Sequence, residues 1–261
     1  MSSPIWTPAA LSSEVREFSC KVWRMVEAQH LVSTSKIVDT RAEQELLEDI
    51  LEEGKPAVPQ EASHLHYLLF SPFRYETRQP SGSRFRAVHD PGVFYAAETV
   101  RTAAAEVGYW RWRFLQDTAG LERLQPASFT AFRVPVKTSC LDLRLPPFDS
   151  DVSLCHPTDY SATQALGRVA RDCVIGAIVY QSVRDPEHHF CIALMTPLAF
   201  AAKKPDTATQ TWVLTVSAAE AIWRRQGAES FSFRTDCWET SQNRHTDLTD
   251  HTDKSDKKGA R

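Results

Sequence analysis

A chain of 261 residues is long enough for one large domain or two small ones. Its formal charge of −3 lacks the basic excess of a nucleic-acid-binding domain, so no direct nucleic-acid binding is expected. A hydrophobic share of 42% supplies a sizeable core, and no apolar run is long enough to span a bilayer.

The stretch from Ala9 to Ala28 reads as a helix, although its apolar piece Val22–Glu27 fits a strand equally well. Asp39 to Glu53 is a firmer helix, with Ala42, Leu46, Leu47, Ile50 and Leu51 at helical spacing and Gly54 and Pro56 as stops. Val58 to Ala62 reads as a linker, and Tyr67 to Phe70 as a strand entering a turn at Pro72. Pro80 to Pro91 is irregular. Val93 to Ala97 is a strand candidate, and Thr99 to Leu115 a helix with an apolar stripe of Val100, Ala103, Ala104, Val107 and Phe114. Ser128 to Val134 is a strand stopped by Pro135. A Ser161/Gln164 capping box opens a helix to Cys173, which feeds an apolar strand, Val174 to Tyr180. Phe190–Met195, Thr211–Val216 and Ser230–Arg234 are later strands. Strands and helices do not alternate regularly, so an α+β domain with a mixed sheet and flanking helices is expected. The expected layout is an N-terminal helical segment over 1–62, a main domain over 63–241, and a disordered polar tail over 242–261.

Cys20, Cys140, Cys155, Cys173, Cys191 and Cys237 form no Cys-x-x-Cys pair, which fits free thiols in a reducing cytoplasm. Met1 to Ser12 has no basic start followed by an apolar stretch, so no signal peptide is expected. His188, His189 and Cys191, or Cys155 and His156, lack the organised spacing of a zinc site, so no metal is expected. Neither a Gly-x-Gly-x-x-Gly nor a Walker-type phosphate loop occurs. The basic and aromatic run Tyr109–Phe114 points in all directions on a helix, which suits packing better than a nucleic-acid surface.

The candidate chemistry concentrates between Phe73 and Glu106. Arginine forks suit phosphates, tyrosine offers a flat face to a ring, and a glutamate steadies a developing cation. Five motifs stand in order here: Phe70-Ser71-Pro72-Phe73-Arg74-Tyr75; Gly82-Ser83-Arg84-Phe85; Gly92-Val93-Phe94-Tyr95; Ala104-Ala105-Glu106-Val107-Gly108-Tyr109; and Val179-Tyr180-Gln181-Ser182-Val183-Arg184-Asp185. Together they closely resemble the RES domain family, named for an Arg, a Glu and a Ser. The resemblance runs from about Trp23 to about Val216. It implies a fold like that of ADP-ribosylating toxins and a role as the toxin of a bacterial toxin–antitoxin pair. It also implies attack on NAD⁺ by hydrolysis, phosphorolysis or ADP-ribosyl transfer to a host protein. The implied partners are an Xre-like antitoxin and, by family, a second copy of the toxin. A binding module that senses a nucleotide without turnover is the non-enzymatic alternative.

Residue by residue, the resemblance carries over to Arg84, Tyr95, Glu106 and Ser182. The family's first arginine has two matches, Arg24 after Trp23 and Arg74 before Tyr75. The family's Gly-Gly-Arg-Trp-Asn form is here Gly82-Ser83-Arg84-Phe85-Arg86. Cleaving the bond from nicotinamide to ribose develops oxocarbenium character, as in glycoside hydrolysis. Arg84, helped by Arg24 or by Arg74 and Tyr75, would clamp the pyrophosphate, and Tyr95 would support a ring. Glu106 would bind the ribose and steady the charge, and Ser182 would bond phosphate or amide. No His–Asp pair is implied beside Ser182, so it is not read as a nucleophile.

Overall fold

The computed structural model describes residues 6–28, 37–75, 81–225, 227 and 229–239. The tail expected over 242–261 lies outside the described residues. The elements are α1 (Pro8–Ser13), β1 (Arg16–Glu27), α2 (Arg41–Glu53), α3 (Tyr67–Arg74), β2 (Phe94–Ala97), α4 (Val100–Asp117), β3 (Arg123–Asp142), α5 (Ser161–Asp172), β4 (Ala177–Gln181), β5 (Phe190–Leu194), β6 (Gln210–Ser217), β7 (Glu220–Arg225) and β8 (Ser230–Arg234). The architecture is the expected α+β type, a mixed sheet with flanking helices.

Eight strands run in the order β1-β2-β5-β4-β3-β6-β7-β8, and β1 also pairs with β3. β1 lies antiparallel along β3 from Arg16↔Cys140 to Glu27↔Phe129. The other edge of β3 is shared: β6 takes Arg123 to Ala131 and β4, in parallel, takes Cys140 to Asp142. Because β1 also touches β2 at Trp23↔Ala97, the pairings β1–β2–β5–β4–β3 close on themselves. Successive residues of a strand face opposite sides, so two cores form. Ala97, Ile178, Tyr180 and Cys191 pack with α4, while Ala96, Val179, Ile192 and Phe132 pack with Leu65 and Leu69 on the opposite side.

Several expected elements differ. Of the helix expected over Ala9–Ala28 only Pro8–Ser13 is helical, and Arg16–Glu27 is β1, which buries Met25 in one core and Val22 in the other, on opposite faces of the sheet. The strand expected at Tyr67–Phe70 is helix α3, capped by the His66 ring accepting from Leu68 N. Within the expected linker, Gln60–Ala62 forms a 3-10 turn that buries Ala62. Pro135 does not stop β3. Its carbonyl, accepting from Ala201 N, shows that its missing N–H faces the gap between β6 and β4, where no strand needs that donor.

The face of α4 is rotated from the expected stripe. Thr102 to Ala105, Gly108, Tyr109, Trp112 and Leu115 are buried, while Phe114 is exposed. The Ser161/Gln164 capping box is absent. Tyr160 occupies the cap position, and Gln164 Nε2 instead donates to Ser81 O at 2.8 Å and Ser83 O at 3.0 Å. That bond ties α5 to the loop carrying Arg84. Among the described residues no helix is long and apolar enough to cross a membrane.

Candidate active site

A cleft of about 290 Å³ opens where β2, β4 and β5 meet α4 and the loop around Arg84. Arg24, Arg84, Tyr95 and Glu106 line it, joined by Tyr160 and Tyr180. The buried Arg84 and the half-buried Arg24 line this cavity without carboxylate partners among the described residues. Arg84 is 8% exposed. Its Nη1 donates to His156 O at 3.0 Å and Leu154 O at 3.4 Å, and its guanidinium lies 4.9 Å from the Tyr160 ring centre. Arg24 donates from Nη1 to Tyr95 O at 2.6 Å and leaves Nε buried without a partner. Burial pushes the Arg24 guanidinium down to about 10.

Glu106 sits on the inward face of α4, one turn from the buried Thr102 and Tyr109, rather than on an outer face. Ser182 Oγ donates to Glu106 Oε1 at 2.7 Å, and Cys191 Sγ lies 3.7 Å from the same oxygen. No hydrogen bond among the described residues reaches Oε2. Ser182, 1% exposed, is fixed in turn, because its Oγ accepts from Arg184 N at 3.2 Å and Asp185 N at 3.1 Å. Its hydroxyl proton is therefore committed to the carboxylate. Asp185 anchors that turn back to α4 by accepting from Thr102 Oγ1 at 2.8 Å. Burial and the Glu106 carboxylate raise the Cys191 thiol well above its usual range, so it stands as a neutral thiol.

Tyr95 contributes a wall and a brace. Its hydroxyl accepts from Phe85 N at 3.0 Å and shares a 2.8 Å bond with Ser83 Oγ, pinning the loop on either side of Arg84. Burial raises its pKa, so the hydroxyl keeps its proton. Gly82 makes the loop possible. Its φ is +70°, and a side chain there would meet Arg86 O at 2.2 Å.

Arg74 and Tyr75 stand elsewhere. Arg74 donates to Pro56 O and pairs with Glu52 at 2.6 Å, and Tyr75 is exposed. Between the two candidate first arginines, the cleft takes in Arg24. The sequence does not single out Tyr160 and Tyr180, which form aromatic walls of the cleft, nor Arg184, which is buried outside the cleft lining. Arg184 is 2% exposed, with its guanidinium 3.5 Å from the Tyr109 ring centre and a bond to Pro157 O. Nothing in the local pattern marks Tyr160, which lies between a polar loop and a helix. Tyr180 and Arg184 sit within the quoted Val179–Asp185 motif.

The arrangement joins two arginines without carboxylate partners among the described residues, aromatic walls and a braced carboxylate, and Arg84, Tyr95, Glu106 and Tyr180 come from four of the five quoted motifs. The RES domain family model matches residues 58–217, more than half of the chain. The chain belongs to the RES domain family. β1 and the strands after β6 lie outside that match, although they share the sheet. No curated protein matches the chain. Among solved structures, the chain is similar to one from the M. tuberculosis MbcT–MbcA toxin–antitoxin complex. The identity is 10%, the match covers 90% of this chain and 96% of that one, and the TM-score is 0.45. Among the described residues no group of three His, Cys, Asp or Glu side chains is placed to hold a metal.

Proposed function

We propose that this RES domain cleaves the bond between nicotinamide and ribose in NAD⁺ and serves as the toxin of a toxin–antitoxin pair. The observation that carries the reading is the contrast inside one cleft. Among the described residues the half-buried Arg24 and the buried Arg84 have no counter-ions, and the Glu106 carboxylate is braced on one oxygen. A buried cation is costly until an anion reaches it, so the cleft favours a ligand with phosphates.

In this reading the pyrophosphate rests on Arg84 and Arg24, and the nicotinamide ribose lies against Glu106 Oε2. As the nicotinamide leaves with the bonding electron pair, positive charge grows on the ribose, and the fixed carboxylate lowers its energy. Ser182 and Asp185 act by holding Glu106 and its turn. The Tyr95 hydroxyl keeps the Arg84 loop in register, and the rings of Tyr160 and Tyr180 exclude water. Water or inorganic phosphate then takes the ADP-ribosyl group, and transfer to a protein side chain differs only in the acceptor.

An enzyme that consumes NAD⁺ harms its own cell unless the cleft is blocked, which supports an antitoxin partner that occupies it. Co-expression with a cognate antitoxin should restore growth and yield a co-purifying complex. Growth arrest unaffected by Glu106→Gln would refute the toxin reading.

A further inference from the structure

Arg184 is buried and does not line the cleft, yet its bonds reach the supports of both Glu106 and Arg84. On the Glu106 side, Arg184 N donates to Ser182 Oγ at 3.2 Å, and that hydroxyl holds Glu106 Oε1. The Arg184 guanidinium lies 3.5 Å from the centre of the Tyr109 ring, and Tyr109 follows Glu106 by three residues on α4. Main chain and side chain therefore both fix Arg184 to the helix that carries the carboxylate. Trp238 Nε1 anchors it further by donating to Arg184 O at 2.9 Å.

On the Arg84 side, Arg184 Nη2 donates to Pro157 O. Pro157 is buried within the segment that receives Arg84. Leu154 O and His156 O accept from Arg84 Nη1. The Tyr160 ring lies 4.9 Å from the Arg84 guanidinium, and the Tyr160 hydroxyl donates to the same Pro157 O at 3.3 Å.

A planar guanidinium can lay its face on a ring while its edge donates to a carbonyl, and a lysine cannot do both at once. Arg184 Nη1 is buried without a hydrogen-bond partner among the described residues. A cation buried with so few partners stabilises a chain no better than an apolar side chain of its size, so stability alone does not account for it.

We propose that Arg184 is a positioning residue, which sets the Arg84 clamp in register with the Glu106 carboxylate. The inference rests on the NAD⁺ reading given above. Phosphates can settle on Arg84, and a ribose against Glu106, without an accurate register between the two. The transition state needs both at once, so a lost link lowers kcat more than it raises KM.

The test is the kinetics of NAD⁺ loss in Arg184→Met and Arg184→Lys, well below Tm. In Arg184→Met the main-chain bonds of Arg184 remain, and Pro157 O keeps its bond from Tyr160. The variant should fold with Tm within about 5 °C of the parent chain. Its kcat should fall about 100-fold, the scale of a misplacement of roughly 1 Å, with KM within about threefold of the parent value. Arg184→Lys keeps the charge without the combined stack and bond, and its kcat should fall about tenfold. Amide exchange gives a readout that needs no substrate. The N–H groups of Thr158 and Asp159, which donate to His156 Nδ1 at 3.1 and 2.7 Å, should exchange about tenfold faster in Arg184→Met. Parent-like kcat in either variant, or unchanged exchange at Thr158 and Asp159, would overturn the proposal while leaving the NAD⁺ reading intact. Intact NAD⁺ with the parent chain would remove that reading and the proposal together.

Discussion

Replacing Ser182 with alanine separates a serine that positions from a serine that reacts. The change removes one charge-assisted bond to Glu106 Oε1 at 2.7 Å and strands the N–H groups of Arg184 and Asp185. A hydrogen bond to a charged group contributes roughly 1.5–3 kcal/mol, and each stranded buried donor costs roughly 1–3 kcal/mol. With one bond lost and two donors stranded, stability should fall by at least about 3.5 kcal/mol, which lowers Tm by about 7 °C or more for a domain of this size. If about 2 kcal/mol of the lost bond had gone into holding the carboxylate, kcat for NAD⁺ loss should drop about 30-fold. The assay is a double-mutant cycle of Ser182→Ala and Glu106→Gln, read by chromatography of remaining NAD⁺. Glu106→Gln should cost more than Ser182→Ala, and the double variant should be no slower than Glu106→Gln. Losses that simply add would mean that Ser182 acts apart from Glu106, and the brace argument would fail.

Arg24→Met should raise Tm by about 2–4 °C at neutral pH, as removing about 1 kcal/mol of uncompensated buried charge does, while abolishing the stabilisation that NAD⁺ confers. The sign follows from linkage. With its pKa held down to about 10 by burial, folded Arg24 binds its proton more weakly than the unfolded chain does. The penalty is therefore present below pH 10 and fades as the pH rises towards the ordinary arginine value. A parallel drop in Tm would show that Arg24 is a structural residue. Arg74→Ala should leave KM for NAD⁺ unchanged, since its partner Glu52 is exposed and lies away from the cleft. A raised KM would return Arg74 to the site. Trp238→Ala should destabilise the chain by about 3–5 kcal/mol in urea unfolding, because this buried ring packs on Tyr109 and Trp112 and donates to Arg184 O at 2.9 Å. A loss below about 1 kcal/mol would mean that the segment after β8 does not brace the core.

α2 could be read from the sequence because its own side chains specify it, with a capping box at Thr40 and Glu43, and the short β5 because it is apolar throughout. The apolar run Tyr67–Phe70 could not, since it has the same pattern whether a sheet edge or a cap at His66 claims it. β7 was missed outright. Its Ala221 and Trp223 alternate inward over only six residues, too few to stand out beside charged neighbours. Arg84, Tyr95 and Glu106, which line the cleft, and Ser182, which bonds Glu106 from outside its lining, all come from the ordered motifs, but the contacts among them were not legible. The loop bonds of Tyr95 and the placing of Arg24, rather than Arg74, in the cleft depend on contacts between segments far apart in the sequence. Trp23↔Ala97 brings Arg24 beside Tyr95, and no local pattern carries that register.

The most direct test of the central claim is the fate of NAD⁺ incubated with the purified full chain, followed by liquid chromatography with mass detection, with and without inorganic phosphate. The cleft geometry predicts release of nicotinamide together with ADP-ribose or its phosphate, and loss of that release in Glu106→Gln. Intact NAD⁺ in both conditions, or undiminished cleavage by Glu106→Gln, would contradict the account.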